Sequence, residues 1–535
     1  MTSPTLAPGH KDGNRVLTPL LVFFSYALLI VAWTFGSPPF AAPDEWHHYL
    51  RAVSIGQGQL VGKPGGREGA KGMVGERPAH QPEHSYEDML ATLAQTNRWV
   101  QIPPGLSPGW FRCPLVDPNV SARCLNDSPP VTEAHDWFIS AATYQPLPYL
   151  VPAAISRIGV HPDTLDRLMR VGKALISLLL LGAAVFVLWC PRSRLVSLVG
   201  LVVAVTPMAV FLSATLNPSA LEIMSALTFT SALLRLTRAE TERRFARWAW
   251  VIVAVSGFVL ALSRTTGPVW VALSLAVTVP AGARAFLTMA LKWKRWAGPA
   301  LAAVFLAILL NRWWEYLYGL RLTIDLTPLR ASLLEGLTQL PRLLLEQIGV
   351  FNHLEFSMPW WAYELWQALA VALVVTALLV ATRQQRLLLL TSIVAVLAVP
   401  LLLVAATMRH TGFGLQGRYV LAFSIVVPLL AGEILVRRHE RLRALDAQGL
   451  FLPCAVTAGF VQFVAWWTNA RRFAVGIGGP RWFLSSAEWS PPWGWTLWLM
   501  LAAAGGCLLA ATALVDGFRS GRESDKRQVD RLQPE

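Results

Sequence analysis

Apolar runs close to twenty residues long recur along this chain, separated by short polar breaks, which is the spacing of helices that cross a bilayer. The runs are too long and too uniformly apolar for barrel strands, whose side chains alternate between lipid and lumen. An unpaired backbone amide in lipid costs several kcal/mol, so the spans must be helical. Windows of about nineteen residues place twelve spans, near 16–36, 168–190, 195–215, 218–236, 248–264, 268–284, 296–312, 360–382, 387–406, 420–436, 449–467 and 495–515. The expectation is an all-α polytopic membrane protein, with an integral domain over 16–515 between a short N-terminus, 1–15, and an unstructured tail, 516–535.

Two stretches break the pattern. The first, 37–167, is a long polar loop with Gly/Pro/Glu-rich parts such as Lys63 to Gly69, part of it mobile on that composition. Within it, Tyr144-Gln145-Pro146-Leu147-Pro148-Tyr149 opens an apolar run too short to span, which suits an interfacial or re-entrant helix. The second, 313–359, carries leucines at 329, 333, 337, 340 and 344, steps of three and four that predict an interfacial amphipathic helix over 326–347, bent or split at Pro341.

Charge orders these segments. Of 535 residues 54% are apolar and only 15% charged, yet the formal net charge is +14, and the mean hydropathy is +0.45. The basic residues collect in alternate loops: Arg192 and Arg194; Arg235 to Arg247; Lys292 to Arg295; Arg383 and Arg386; Arg437 to Arg443. The positive-inside rule makes that side cytoplasmic and puts both termini there, in a multi-pass protein of the cell membrane. No basic stripe interleaved with aromatics falls on a soluble domain, so nucleic acid is not among the expected partners. Phe40-Ala41-Ala42 is a small-residue site, but the preceding run exceeds a usual signal h-region and Pro43 follows, so the first segment reads as an uncleaved anchor. In an oxidising compartment Cys113 and Cys124 could close a short loop; Cys190, Cys454 and Cys507 read as small core residues.

The densest potential chemistry follows the first span, in Pro43-Asp44-Glu45-Trp46-His47-His48-Tyr49. Proline at the start, acids in the first turn and no breaker before Gly56 predict a helix from Asp44, with Asp44, His47, His48 and Arg51 on one face. The plain alternative is that the acids complement the helix dipole while the histidines line a wet interface. The chemical reading makes Asp44 a proton acceptor tuned by a neighbouring imidazole, with Glu45 and His48 beside it. Asp44, Glu45 and His48 could also ligate a divalent cation, although adjacent histidines are not a strong metal spacing. Arg167, Arg170 and Lys173 recur every three residues at the mouth of the second span, a cationic stripe suited to phosphate at headgroup depth. Arg264 ends an apolar helix, and His410 to Tyr419 includes Gln416 and Arg418 among three glycines that permit close backbone approach. Asn217-Pro218-Ser219 reads as a turn signal between spans.

An apolar first span followed by Pro-Asp-Glu at 43–45, the long loop, the Gln-Pro-Leu-Pro-Tyr run at 145–149 and Arg170 resemble the GT-C class of membrane glycosyltransferases. Pro-Asp-Glu-x-x-His at 43–48, Asn-Pro-Ser-Ala-Leu at 217–221 and Gly-Leu-Gln-Gly-Arg-Tyr at 414–419 are similar to a bacterial multi-pass family of unknown function placed beside that class. The resemblance implies a GT-C-like fold and inverting transfer of a sugar from a polyprenyl-phosphate donor to a glycan or lipid acceptor on the outer face. It implies Asp44 as base, with Glu45 and His48 in the catalytic group. It implies Arg170, Arg264 and Arg418 at the lipid phosphate, with His47, Arg51, His410, Gln416 and Tyr419 lining the substrate. Two other readings stand beside it: a transporter or flippase of an envelope precursor, and a non-catalytic envelope-assembly protein.

Overall fold

The structure, a computed structural model, describes residues 16–74, 83–109, 117–127, 131–238, 243–319, 327–352, 354–411, 414–444 and 451–532. Among these, ten helices are long and apolar enough to cross a membrane, and a bent pair makes an eleventh candidate. The molecule is an all-α polytopic membrane protein. Ten expected spans correspond to Leu17–Gly36, Pro162–Leu188, Pro218–Leu236, Phe245–Ser263, Gly267–Lys292, Lys294–Tyr318, Trp360–Val380, Arg383–Arg409, Gly417–Arg437 and Gly494–Val515. The expected span at 195–215 is instead two helices, Val196–Ala204 and Pro207–Ser213, meeting at 71°. Pro207 causes the break: it disfavours helical backbone at Thr206, which is extended, and the Thr206 hydroxyl caps the new helix by accepting from Ala209 N–H.

The expected span at 449–467 is the helix Phe451–Val475, which falls outside the strongly apolar set. It is held in the bundle by a backbone approach to the last helix, where a Cβ on Gly459 would stand 2.3 Å from the Gly506 carbonyl oxygen. Small residues at a helix interface are how membrane helices gain close packing without a hydrophobic driving force. The last helix continues to Leu532, through most of the stretch expected to be an unstructured tail.

Aromatic side chains mark the two edges of the bundle. Trp313, Tyr316, Trp360 and Trp493 are exposed at the ends that carry the long loops, and Trp248 and Trp296 at the ends that carry the arginine-rich loops. On the arginine-rich face Glu433 is buried between Arg238 and Arg437, at 2.7 and 2.9 Å.

The long loop has its own fold. Lys63–Pro64, Arg98–Ile102 and His135–Ile139 form a three-stranded antiparallel sheet in that order, with Trp99 opposite Phe138 and Val100 opposite Trp137. Val100, Ile102 and Ile139 are buried against Tyr49, Leu50 and Val53 of the helix that follows the first span. Sequence pattern did not reveal these strands because Lys63–Pro64 is two exposed residues and the other two are only five residues long. The sheet thus clamps the helix that carries the candidate chemistry. Leu147 to Ser156 is a short apolar helix, as the proline run predicts, with Leu150 and Val151 exposed. The amphipathic segment is one helix, Leu329–Gly349, rather than two, with Pro341 inside it on the exposed side. Cys124 is disulfide-bonded while Cys190, Cys454 and Cys507 are free; Cys113 lies outside the described residues.

Candidate functional site

The predicted helix after the first span is present as Glu45–Gly56, with Asp44 in the N-cap position. Asp44 takes a left-handed backbone conformation, φ 57°, and its side chain makes no capping hydrogen bond. Aspartate and asparagine are among the few residues that tolerate this geometry. The carboxylate reaches Arg418 instead, across 374 residues of sequence, with Nη2 donating to Oδ2 at 2.6 Å. The two side chains differ in access: Arg418 is 3% exposed and Asp44 40%.

Glu45, one residue on, points the other way and is fully buried. Its carboxylate accepts from Arg170 at 2.8 and 2.5 Å, from Leu216 N–H at 2.8 Å and from Ala42 N–H at 3.0 Å. Arg170 also meets Asp166 at 2.9 Å and donates to the carbonyls of Thr34, Ser37 and Pro38. Lys173 donates to the Thr215 carbonyl at 3.0 Å. Arg170 and Lys173, read from sequence as headgroup-facing, are therefore turned into the protein. Arg170 pairs with two buried acids, which such acids require.

A second set of polar groups surrounds Asp44 and Arg418. The Arg264 guanidinium lies 4.4 Å from the Tyr419 ring centroid and 5.8 Å from that of Tyr144, and donates to the Ser219 hydroxyl at 2.7 Å. Arg418 donates to the Tyr419 hydroxyl at 3.0 Å. Burial disfavours charge on Arg264, but Glu222 and then the tyrosines outweigh it and raise its pKa. Thr265 and Gln145 both donate to Glu315, one helical turn from exposed Trp313 and Tyr316, which sets this cluster at the aromatic edge of the bundle.

His48 and Arg51 converge on the same place from the Glu45–Gly56 helix. His48 Nδ1 is 2.9 Å from the Tyr149 hydroxyl, and Arg51 lies over the Tyr149 ring while donating to the Tyr144 carbonyl at 2.8 Å. Burial holds the His48 pKa well below its ordinary value of 6.5, against the pull of Asp44, so the ring is neutral. Burial also lowers Arg51 to about 10, still charged at neutral pH. His47 packs against the Trp46 ring. Nε and Nη1 of both Arg51 and Arg418, and Oε1 of Gln416, are buried without hydrogen-bond partners among the described residues. Such groups are costly unless something pairs with them.

The glycine-rich motif is explained by packing. Gly417 opens a helix whose first N–H donates to Glu346 at 2.6 Å, and a Cβ there would stand 2.4 Å from the Leu343 carbonyl oxygen. His410 lies in the last turn of Arg383–Thr411, and its side chain is outside the described residues. Among the described residues no three His, Cys, Asp or Glu gather to hold a metal ion. In particular Glu45 faces Arg170 while His48 faces Tyr149, so Asp44, Glu45 and His48 do not converge on one point.

The Asn217-Pro218-Ser219 turn does more than reverse the chain. Asn217 Oδ1 accepts from Ser219 N–H and caps the next helix, while its Nδ2 donates to the Pro43 carbonyl at 2.9 Å, directly before Asp44. Ser219 holds Arg264, so one turn positions both the acid and the cation. Glu222, one helical turn further, accepts from Thr266 and Trp270 at 2.8 and 2.7 Å. The asparagine beside proline was visible in sequence, but only the fold shows what its side chain reaches.

Ten apolar helices, a clamped helix at their edge and a buried set of arginines around one accessible carboxylate define a multi-pass α-helical membrane protein with a polar site at one membrane edge. Residues 27–427 match the family described as "Predicted membrane protein (DUF2142)", and the chain belongs to that family. No curated protein and no solved structure matches it.

Proposed function

We propose that the protein is a glycosyltransferase of the cell membrane, moving a sugar from a polyprenyl-phosphate donor to a glycan or lipid acceptor at the outer face, with both termini cytoplasmic. The observation that carries this reading is the contact between Asp44 and Arg418: an accessible carboxylate beside a buried arginine with two uncommitted donor nitrogens. In this reading the acceptor hydroxyl oxygen attacks the anomeric carbon and its proton passes to Asp44. The bond from that carbon to the phosphate oxygen breaks, and polyprenyl phosphate leaves with the electron pair. Arg418 and Arg264, with Arg51 behind them, meet the leaving charge; Tyr419 and the neutral His48 line the same place, and Gln416, two residues before Arg418, is assigned to the substrate with them. Removing one such donor raises the barrier by about 2.7–4 kcal/mol.

Glu45 and Arg170, whose polar atoms are committed to each other and to backbone, take a positioning role here rather than acid catalysis and phosphate binding. A transporter or flippase would use an acid within a span, and Glu222 is such an acid, its Oε1 held by Thr266 and Trp270 and its Oε2 buried without a hydrogen-bond partner among the described residues. The test is the lipid-linked sugar and envelope glycan profile of a deletion strain complemented with wild type or Asp44→Asn. Transfer predicts that the mutant accumulates an unused polyprenyl-phosphate sugar and lacks its product; full restoration by the mutant removes Asp44 as the base. Movement of substrate across liposomes with no covalent product would favour transport instead.

A further inference from the structure

A carboxylate paired with arginine is a poor base, because the pairing favours its charged form. The site as folded therefore places Asp44 in a state unsuited to taking a proton. Yet the pairing is asymmetric. Arg418 is fixed from behind by the Gly417 backbone against Leu343 and by Tyr419, whereas Asp44 is accessible at the helix start. Only Nη2 of Arg418 serves Asp44; Nε and Nη1 have no partner. Arg264 and Arg51 stand nearby, so three guanidinium groups gather close to Asp44, with Glu222 and Glu315 at the edge of the cluster.

From this geometry we infer that the Asp44–Arg418 ion pair is a latch opened by the anionic group of the donor. The inference rests on the transferase reading and adds its regulation. A phosphodiester entering beside Arg418 meets its two unpartnered nitrogens and takes over the guanidinium, forming the paired hydrogen bonds that its fork geometry allows. Asp44 then loses its strongest partner and regains proton affinity. The base is competent only while donor is present, so an acceptor arriving first is not deprotonated. No bond is made or broken in this step; one ion pair is exchanged for another.

Competition between Asp44 and the phosphate for one arginine has a measurable signature. Full-length protein in lipid nanodiscs is titrated with polyprenyl monophosphate lacking any sugar, which reports binding without transfer. Asp44→Asn keeps the left-handed backbone and removes the competing charge; Asp44→Gly does the same if the amide variant does not fold. Both variants should bind the probe about tenfold tighter than wild type or more, the scale of one charge-assisted hydrogen bond. On an Arg418→Gln background the same change should give no gain.

Equal or weaker binding by the Asp44 variants overturns the latch, as does failure of wild type and variants alike to bind the probe. The two ideas fail separately. Tighter binding by the variants with no sugar transfer by wild type leaves the latch and removes the transferase; transfer by wild type with unchanged probe affinity in the variants leaves the transferase and removes the latch.

Discussion

Replacing Glu45 by alanine should damage the fold far more than replacing its neighbour Asp44, although both are acids at the start of one helix. Glu45 and Arg170 are each 0% exposed; removing one partner of a buried ion pair costs about 3–5 kcal/mol, and the low end, about 3, applies here because Arg170 keeps Asp166 and three carbonyls. The Ala42 and Leu216 N–H groups also lose their acceptor, on the order of 1–3 kcal/mol for each buried donor left unsatisfied. Together these approach the whole stability of a typical domain, about 5–15 kcal/mol. Asp44 is 40% exposed, so Asp44→Asn, which keeps the left-handed backbone and leaves Arg418 an amide oxygen, loses on the order of 1 kcal/mol. Unfolding of a protein this large is a rate measurement, so the assay is apparent melting by tryptophan fluorescence at one heating rate, with monodispersity after purification as a second readout. Glu45→Ala should yield little folded protein or melt many degrees low, with Asp44→Asn near wild type. A Glu45→Ala protein that purifies normally and melts within about two degrees of wild type, a loss of only about 2 kcal/mol for a chain of 535 residues, refutes the argument that this acid is a structural tie.

Three further outcomes follow from other contacts. Gly417→Ala forces a methyl against the Leu343 carbonyl oxygen, 2.4 Å away, and should cost about 1–3 kcal/mol by overpacking; melting checks this, and probe binding should weaken as Arg418 shifts. Asn217→Ala removes a helix cap and the tie to Pro43, about 1 kcal/mol, and should reduce sugar transfer by more than its small loss of stability explains. Because burial depresses the His48 pKa below 6.5, the unfolded chain binds the proton first as pH falls. The stability this residue contributes is complete above that value and declines below it, by about 1.4 kcal/mol one unit lower; melting measured from pH 7.5 to 5.5, both chosen to bracket the transition, should show the decline in wild type and less of it in His48→Gln.

Much of the bundle could be read from the chain, because a hydrophobic run of span length states its own structure. The exceptions have local causes. Pro207 converts one expected span into a bent pair, and Phe451–Val475 carries Gln462, Asn469, Arg471 and Arg472 that dilute its apolar signal. At the candidate site the helix after the first span and its shared face were legible from Pro43, the two acids and the spacing to Arg51. Which way each side chain turns was not. Asp44 and Glu45 look alike in sequence, and only the left-handed turn at Asp44 sends one to Arg418 and the other to Arg170. The equal spacing of Arg167, Arg170 and Lys173 suggested a lipid-facing stripe, but Arg170 is drawn inward by Glu45 from another segment and by Asp166, and Lys173 by the Thr215 carbonyl. The tyrosines at 144, 149 and 419 carried no pattern of their own; their role appears only when three distant segments meet.

The separation of Asp44 from Arg418 along the chain also sets a condition on biogenesis. Asp44 follows the Leu17–Gly36 helix, whereas Arg418 belongs to the Gly417–Arg437 helix, 374 residues later. Until that helix has been inserted and docked, the aspartate lacks the arginine that the folded protein sets opposite it. A translation product stalled before that point would embed in the bilayer and yet contain no assembled ion pair.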